Sequence, residues 1–302
     1  MANSEKKSVV IVDKERAQSD QGDSNAIIDH DATKKPTEST VHKQFFNISQ
    51  QFGLEVALLP VEKQMPIEDR SNKRARLSSL RKQKNIEAIM EKTYNFCADK
   101  VIDKRTDLDW FNRFITLAED VGNKTMQDLW AKILAGELAR TGTYSLKALK
   151  VFQEMSIVEA KLLAKACSLA VKDQSRKNIR IISGSYQQAG LLNFLSKERQ
   201  QYTNLSQFGL NHADLLSLAD NHLIFIQESE SNMMVNNESI NFSYNGLPLK
   251  LTSKKAKVTL QFYKFTAIGV ELAHLIADKA NDDFFGHLKQ QLSHHFNIAS
   301  SE

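Results

Sequence analysis

The chain has 302 residues, of which 41% are apolar and 25% charged, with a formal net charge of +4. That composition excludes a largely disordered or fibrous chain, and the positive surplus is too small to mark a nucleic-acid binder by itself. No apolar run approaches the roughly 20 residues that span a bilayer, and Met1 to Lys7 lack the apolar stretch of a signal peptide, so a cytoplasmic location without membrane insertion is expected.

Residues 1–42 are rich in Ser, Asp, Gln, Lys and Thr and show no sustained period, which predicts a disordered tail with Val9 to Val12 as its only docking strand. Residues 43–66 form a short apolar segment closed by Pro60 and Pro66. A helical domain with a basic N-terminal helix is expected over 67–172. From Arg70 to Lys84 there are seven basic residues and no acid, and Ile86, Ile89, Met90 and Tyr94 then recur on one face of a helix reaching about Val101. Cys97 and Cys167 fall in helical segments 70 positions apart, which predicts two packed thiols in a reducing compartment and no disulfide.

The most strongly patterned stretch is Asp107 to Ala170. Asp107 is placed to cap a helix carrying Trp110, Phe114, Leu117 and Val121 at i, i+4, i+7, i+11. Thr125 and Asp128 stand in capping-box spacing ahead of Leu129, Trp130, Ile133 and Leu134; Ser145 opens a third helix, and Ser156 with Glu159 a fourth. Gly136 sits inside the second of these helices, where close approach of another backbone is the expected reason.

Over 173–281 the pattern changes to alternating strands and short helices. Strands are predicted at Ile179 to Ile182 and His222 to Gln227, and helices at Ala189 to Leu195 and after an Asn211 cap. Two period-2 runs, Ile240 to Tyr244 and Leu247 to Leu251, meet at Asn245 and Gly246 as a β-hairpin, with a third strand at Val258 to Phe262. A helix follows from Thr266, and residues 282–302 read as an amphipathic helix through Phe296 with a tail. The fold class predicted is mainly α, a helical core with a smaller α+β winged-helix-like module toward the C-terminus.

The run Leu129-Trp130-Ala131-Lys132-Ile133-Leu134-Ala135-Gly136-Glu137, with Asp109, Trp110 and Phe114 before it and Ser145, Leu146, Leu149 and Ser156 after it, resembles an uncharacterised bacterial family, a domain of unknown function. More distantly, that pattern and Phe265 to Leu272 are similar to abortive-infection proteins of the alpha type. The resemblance covers about a third of the chain; it implies a bacterial, cytosolic protein linked to phage defence and supplies no catalytic residue.

Four groups of residues are candidates for chemistry. Arg70, Lys73, Arg74, Arg76, Arg81, Lys82 and Lys84 are suited to phosphate-backbone contact, or else to a solvated helix end, and no aromatic residue is interleaved for base stacking. Lys254 and Lys255, with Lys250 and Lys257, flank the hairpin where a wing would touch phosphate, although the helix Ala213 to Ala219 carries no Arg to read bases. Among His274, Asp278, Asp282, Asp283, His287, His294 and His295, the trio Asp283, His287 and His294 share helical spacing and are the weak metal candidates, with a polar outer face as the ordinary alternative. Ser183-Gly184-Ser185 followed by Gly190 lacks the Gly-Lys-Ser/Thr ending of a phosphate loop. No cofactor and no catalytic residue are expected. The resulting expectation is a non-catalytic interaction or regulatory protein that self-associates and binds another protein, with a regulator binding DNA or RNA as the alternative.

Overall fold

A computed structural model describes residues 41–97, 105–188, 199–277 and 279–299. The expected strand at Val9 to Val12 and the expected helix at Ala189 to Leu195 lie outside the described residues.

The N-terminal half is helical. Helix α1 (Val41–Gln51) and two 3-10 turns (Glu55–Leu58, Val61–Lys63) lead into the 30-residue α2 (Ile67–Phe96), followed by α3 (Leu108–Ala118), α4 (Lys124–Ala139), α5 (Leu146–Glu154) and α6 (Ile157–Ser168). Asp107, Ser145 and the Ser156–Glu159 box cap α3, α5 and α6 as their spacing predicts. For α4 the cap is Asn123, whose side chain accepts from the N–H groups of Thr125 and Met126, so the helix starts ahead of the predicted Thr125 box. The stripes of α3, α4 and α5 converge on an aromatic cluster: Trp110 stacks on Phe114, Phe114 meets Trp130 edge-on and Trp130 tilts against Phe152, with successive centroids 5.5, 5.4 and 5.3 Å apart.

The C-terminal half corrects the predicted fold class. It holds an eight-stranded antiparallel sheet among the described residues: β1 (Val171–Asp173), β2 (Ile179–Gln187), β3 (Gln200–Tyr202), β4 (Ser229–Glu230), β5 (Ser239–Tyr244), β6 (Leu247–Ser253), β7 (Val258–Lys264) and β8 (Phe296–Ala299). Helices α7 (His212–Asp220), α8 (Ala267–Ala273) and α9 (Asp282–Leu292) accompany it. The fold is α+β and not a mainly α protein with a winged-helix-like module. The β5–β6 hairpin forms at Asn245 and Gly246, both with positive φ as a tight hairpin turn requires. It is no free wing, because β5 also pairs with β1 and β6 with β8, which places both strands inside the sheet. Phe296 joins β8 and not the last helix, and the expected strand at His222 to Gln227 reduces to a turn with a single Ile224–Phe265 bridge.

The strand order is β4-β7-β2-β1-β5-β6-β8, with β3 also on β2. β2 and β8 are four places apart, about 19 Å on a flat sheet at ~4.8 Å per strand. Yet the Ser185 hydroxyl on β2 and the Nδ1 atom of His295, just before β8, lie 2.8 Å apart in a hydrogen bond. The sheet is therefore strongly coiled, as twisted sheets of this size tend to be. α9 packs against β2, β3 and β8 through Phe284, Phe285 and Leu288, all buried. Tyr244 stacks on Phe285 at 4.6 Å, and its hydroxyl donates to the Ser168 carbonyl at 2.7 Å and accepts from the Asn281 N–H at 3.0 Å. Tyr244→Phe is expected to lower stability by about 1–2 kcal/mol through those orphaned groups. A urea denaturation midpoint unchanged from wild type would refute that.

Candidate functional site

The predicted basic residues on α2 divide into two groups once the helix is packed. Lys73 pairs with Glu55, whose carboxyl that hydrogen bond holds below the usual range, and Lys82 pairs with Glu119 and Asp120. The Arg81 guanidinium lies 4.4 Å from the centre of the Phe52 ring, and the Arg70 Nε is buried. Arg74, Arg76 and Lys84 remain exposed, spread around about half of the helix circumference at 100° per residue. Lys73 and Lys82 thus fasten the first 3-10 turn and the C-terminal end of α3 to α2, which sequence alone could not reveal because the partners are 18 and 37 residues away.

Lys254 and Lys255 stand in the β6–β7 loop, where Lys254 donates to the Ser293 carbonyl at 2.5 Å, whereas α2 packs mainly against α4. The two predicted basic sets are not brought together. Asp283 is exposed in the first turn of α9, His287 packs its ring 5.3 Å from Phe208, and His294 lies exposed beyond the helix. Among the described residues no cluster of three or more His, Cys, Asp or Glu is placed to hold a metal ion. Ser185 and His295 form a hydroxyl–imidazole pair, but at 0% and 2% exposure they are sealed inside the coil of the sheet, where no substrate reaches the hydroxyl.

One exposed surface stands out. Eleven of the twenty-two exposed large apolar side chains among the described residues fall between positions 41 and 67. On α1, Val41, Phe45 and Ile48, with Phe52 just beyond, recur at i, i+4, i+7, i+11 and are 81, 55, 48 and 43% exposed. By helical spacing Gln44 and Gln51 flank this stripe and Lys43, Phe46, Asn47 and Gln50 lie on the side opposite it, and the basic side chains of α1 are His42 and Lys43.

The motif Leu129 to Glu137 also finds its reason. Gly136 leaves room for the Tyr144 ring, which a Cβ would meet at 2.9 Å; the close neighbour is a side chain and not the expected backbone. Glu137, 2% exposed, accepts the N–H groups of Gly142, Thr143 and Tyr144 at 2.6, 2.9 and 3.0 Å. The Trp110 indole N–H donates to the Tyr144 carbonyl at 2.8 Å, and burial with the nearby Glu137 and Glu271 charges pushes the Tyr144 phenol far up. The loop from Arg140 to Ser145 is thereby fixed at every peptide from 142 to 144. With Arg176 and Lys177 it forms a wall of a basic cleft, and the sequence carries no signal of that, because the cleft's residues lie in three separate elements.

A family model described as "Protein of unknown function (DUF2806)" matches residues 69–289, from the first turn of α2 into α9. No curated protein and no solved structure matches the chain, so the likeness to abortive-infection proteins gains no support from them.

Proposed function

We propose that this chain, which belongs to that family of unknown function, acts as a non-catalytic interaction protein that assembles with a second copy of itself through α1. The observation that carries the reading is the exposed Val41, Phe45, Ile48 and Phe52 stripe, spaced as one face of a helix that packs on another helix. A two-fold axis would set the stripe against its own copy, the commonest way for identical chains to associate. Charge favours this occupant. Membrane-surface helices carry several Lys and Arg along the polar face, whereas α1 has the single Lys43 and no Arg, so two copies meet with little repulsion and with little attraction to anionic lipid.

Sedimentation of the full chain is expected to give twice the chain mass at micromolar concentration, and Phe45→Ser with Ile48→Ser is expected to give a folded monomer. Both side chains are more than 45% exposed, so the substitution leaves the core untouched. A wild-type monomer, or a double variant that stays dimeric, would refute the assembly. For the nucleic-acid alternative, reversing Arg74, Arg76 and Lys84 is the informative change, because reversal at Arg81 would also break its contact with Phe52. Salt-sensitive binding of duplex DNA that this triple variant loses would replace the present reading.

A further inference from the structure

We infer that the cleft bounded by Arg140, Arg176, Lys177 and His274 is a binding site for a small phosphate-bearing anion. The cavity measures about 490 Å³, within the usual range for small-molecule sites. Three separate elements build it: the loop after α4 supplies Arg140 and Thr143, the β1–β2 turn supplies Ser175, Arg176 and Lys177, and α8 with its C-cap supplies Val270 and His274.

Two of these walls are held by buried or half-buried carboxylates that are already committed. Glu137 fixes the first through three backbone N–H groups. Asp173 fixes the second: it accepts the Ser175 hydroxyl at 2.9 Å and the Asn178 amide at 2.7 Å, and Arg176 takes a left-handed conformation with φ of 56°. Burial raises the Asp173 carboxyl, but the hydrogen bonds from Asn178 and Ser175 outweigh it and leave the group below its ordinary range. Glu271, the acid on α8, accepts the Ser145 N–H at 2.7 Å. The acids near the cleft thus serve its scaffold, and among the described residues Arg140, Arg176 and Lys177 are in no ion pair.

The field in the cleft is registered by His274. Desolvation, then the charges of Lys172, Arg140 and Arg176, push its imidazole below the ordinary value, against the opposing pull of Glu271. Guanidinium groups suit phosphate oxygens because they offer paired, planar N–H donors, and Arg140, Arg176 and Lys177 are exposed side chains lining the cleft, open to an anion arriving from solvent. The cations gather on one concavity instead of lining a track, which favours a small ligand over the repeating phosphates of a polynucleotide. Both walls lie within residues 69–289, the stretch the family model matches.

The test is calorimetric titration of the full chain with inorganic pyrophosphate, repeated with a mononucleoside triphosphate, a free sugar phosphate and a 20-base-pair duplex. Arg140→Ala and Arg176→Asn are the variants, the second because Asn accepts a left-handed backbone. Each is expected to weaken pyrophosphate binding about tenfold, the worth of one charge-assisted hydrogen bond, while Arg76→Ala on α2 leaves it unchanged. Nuclear magnetic resonance should also show the His274 ring titrating at higher pH when pyrophosphate is bound. No binding at millimolar pyrophosphate, or binding retained by the double variant, would overturn the site. A duplex that binds more tightly than every small phosphate, and is lost in the same variants, would overturn the small-ligand assignment.

Discussion

Gly269→Ala is expected to be among the most damaging single substitutions in the chain. Gly269 lies on α8 where the backbone of Leu223 crosses it, and a Cβ would stand 1.9 Å from the Leu223 carbonyl oxygen and 2.8 Å from its carbon. Neither atom belongs to a flexible side chain, so the helix or the crossing segment must move by more than an ångström. That movement would break the Thr266 N–H bond to the same carbonyl at 3.0 Å and the Thr266 hydroxyl bond to the His222 carbonyl at 2.5 Å. It would also displace Leu272 and Ala273, both buried in the core. Overpacking a rigid site costs about 3 kcal/mol or more, equivalent to a fall in Tm of roughly 6–12 °C for a chain of this size. Calorimetry would check it, and a variant melting with the wild type would mean that α8 slides without resistance.

Glu137→Ala carries the second large effect. The carboxylate is buried and accepts three backbone N–H groups, so its removal leaves the 142–144 loop with unsatisfied donors beside a cavity of two carboxyl oxygens. Hydrogen bonds to a charged acceptor are worth about 1.5–3 kcal/mol each, and water reaches only the exposed Gly142 end, so a net loss of about 3–4 kcal/mol is expected. Glu137→Gln should restore roughly half of it. Its carbonyl keeps the Thr143 and Tyr144 bonds, while the amide NH₂ faces the Gly142 N–H, donor against donor. Equilibrium urea denaturation of the two variants separates these outcomes. Equal losses for Ala and Gln would mean that charge, and not acceptor geometry, holds the loop. Since that loop forms one wall of the basic cleft, both variants should also weaken pyrophosphate binding.

Glu137 closes the Leu129 to Glu137 run read as resembling a domain of unknown function, and Gly269 lies in Phe265 to Leu272, the stretch read as similar to abortive-infection proteins, a likeness that no curated protein or solved structure supports. Their chemistry is that of packing and anchoring. Gly136 and Gly269 admit a ring and a crossing backbone, and Glu137 fastens a turn. A recognisable sequence pattern here marks where the chain has least freedom, and the surface that could bind a ligand is built from residues those anchors hold in place.

Local signals in the sequence determined local structure. Asp107, Ser145, Ser156 and Asn211 cap helices because a side-chain oxygen two or three residues from an open N–H needs nothing distant to bond it. Asn245 and Gly246 turn the hairpin because both accept positive φ. The apolar spacing finds Trp110 and Phe114 on α3 and Leu149 and Phe152 on α5 in the core, since periodicity is a property of neighbours along one helix, while Leu146 is left 41% exposed and Val121 falls beyond α3. Tertiary structure decided everything that depends on which segments meet. Whether a hairpin is a wing or two inner strands rests on β1, 66 or more residues before it, and on β8 at the far end of the chain. Whether Lys73 and Lys82 face solvent rests on Glu55 and Glu119. Arg140, Arg176 and His274 share a cleft only because a helix end, a strand turn and a later helix pack together, and no spacing along the chain encodes that encounter.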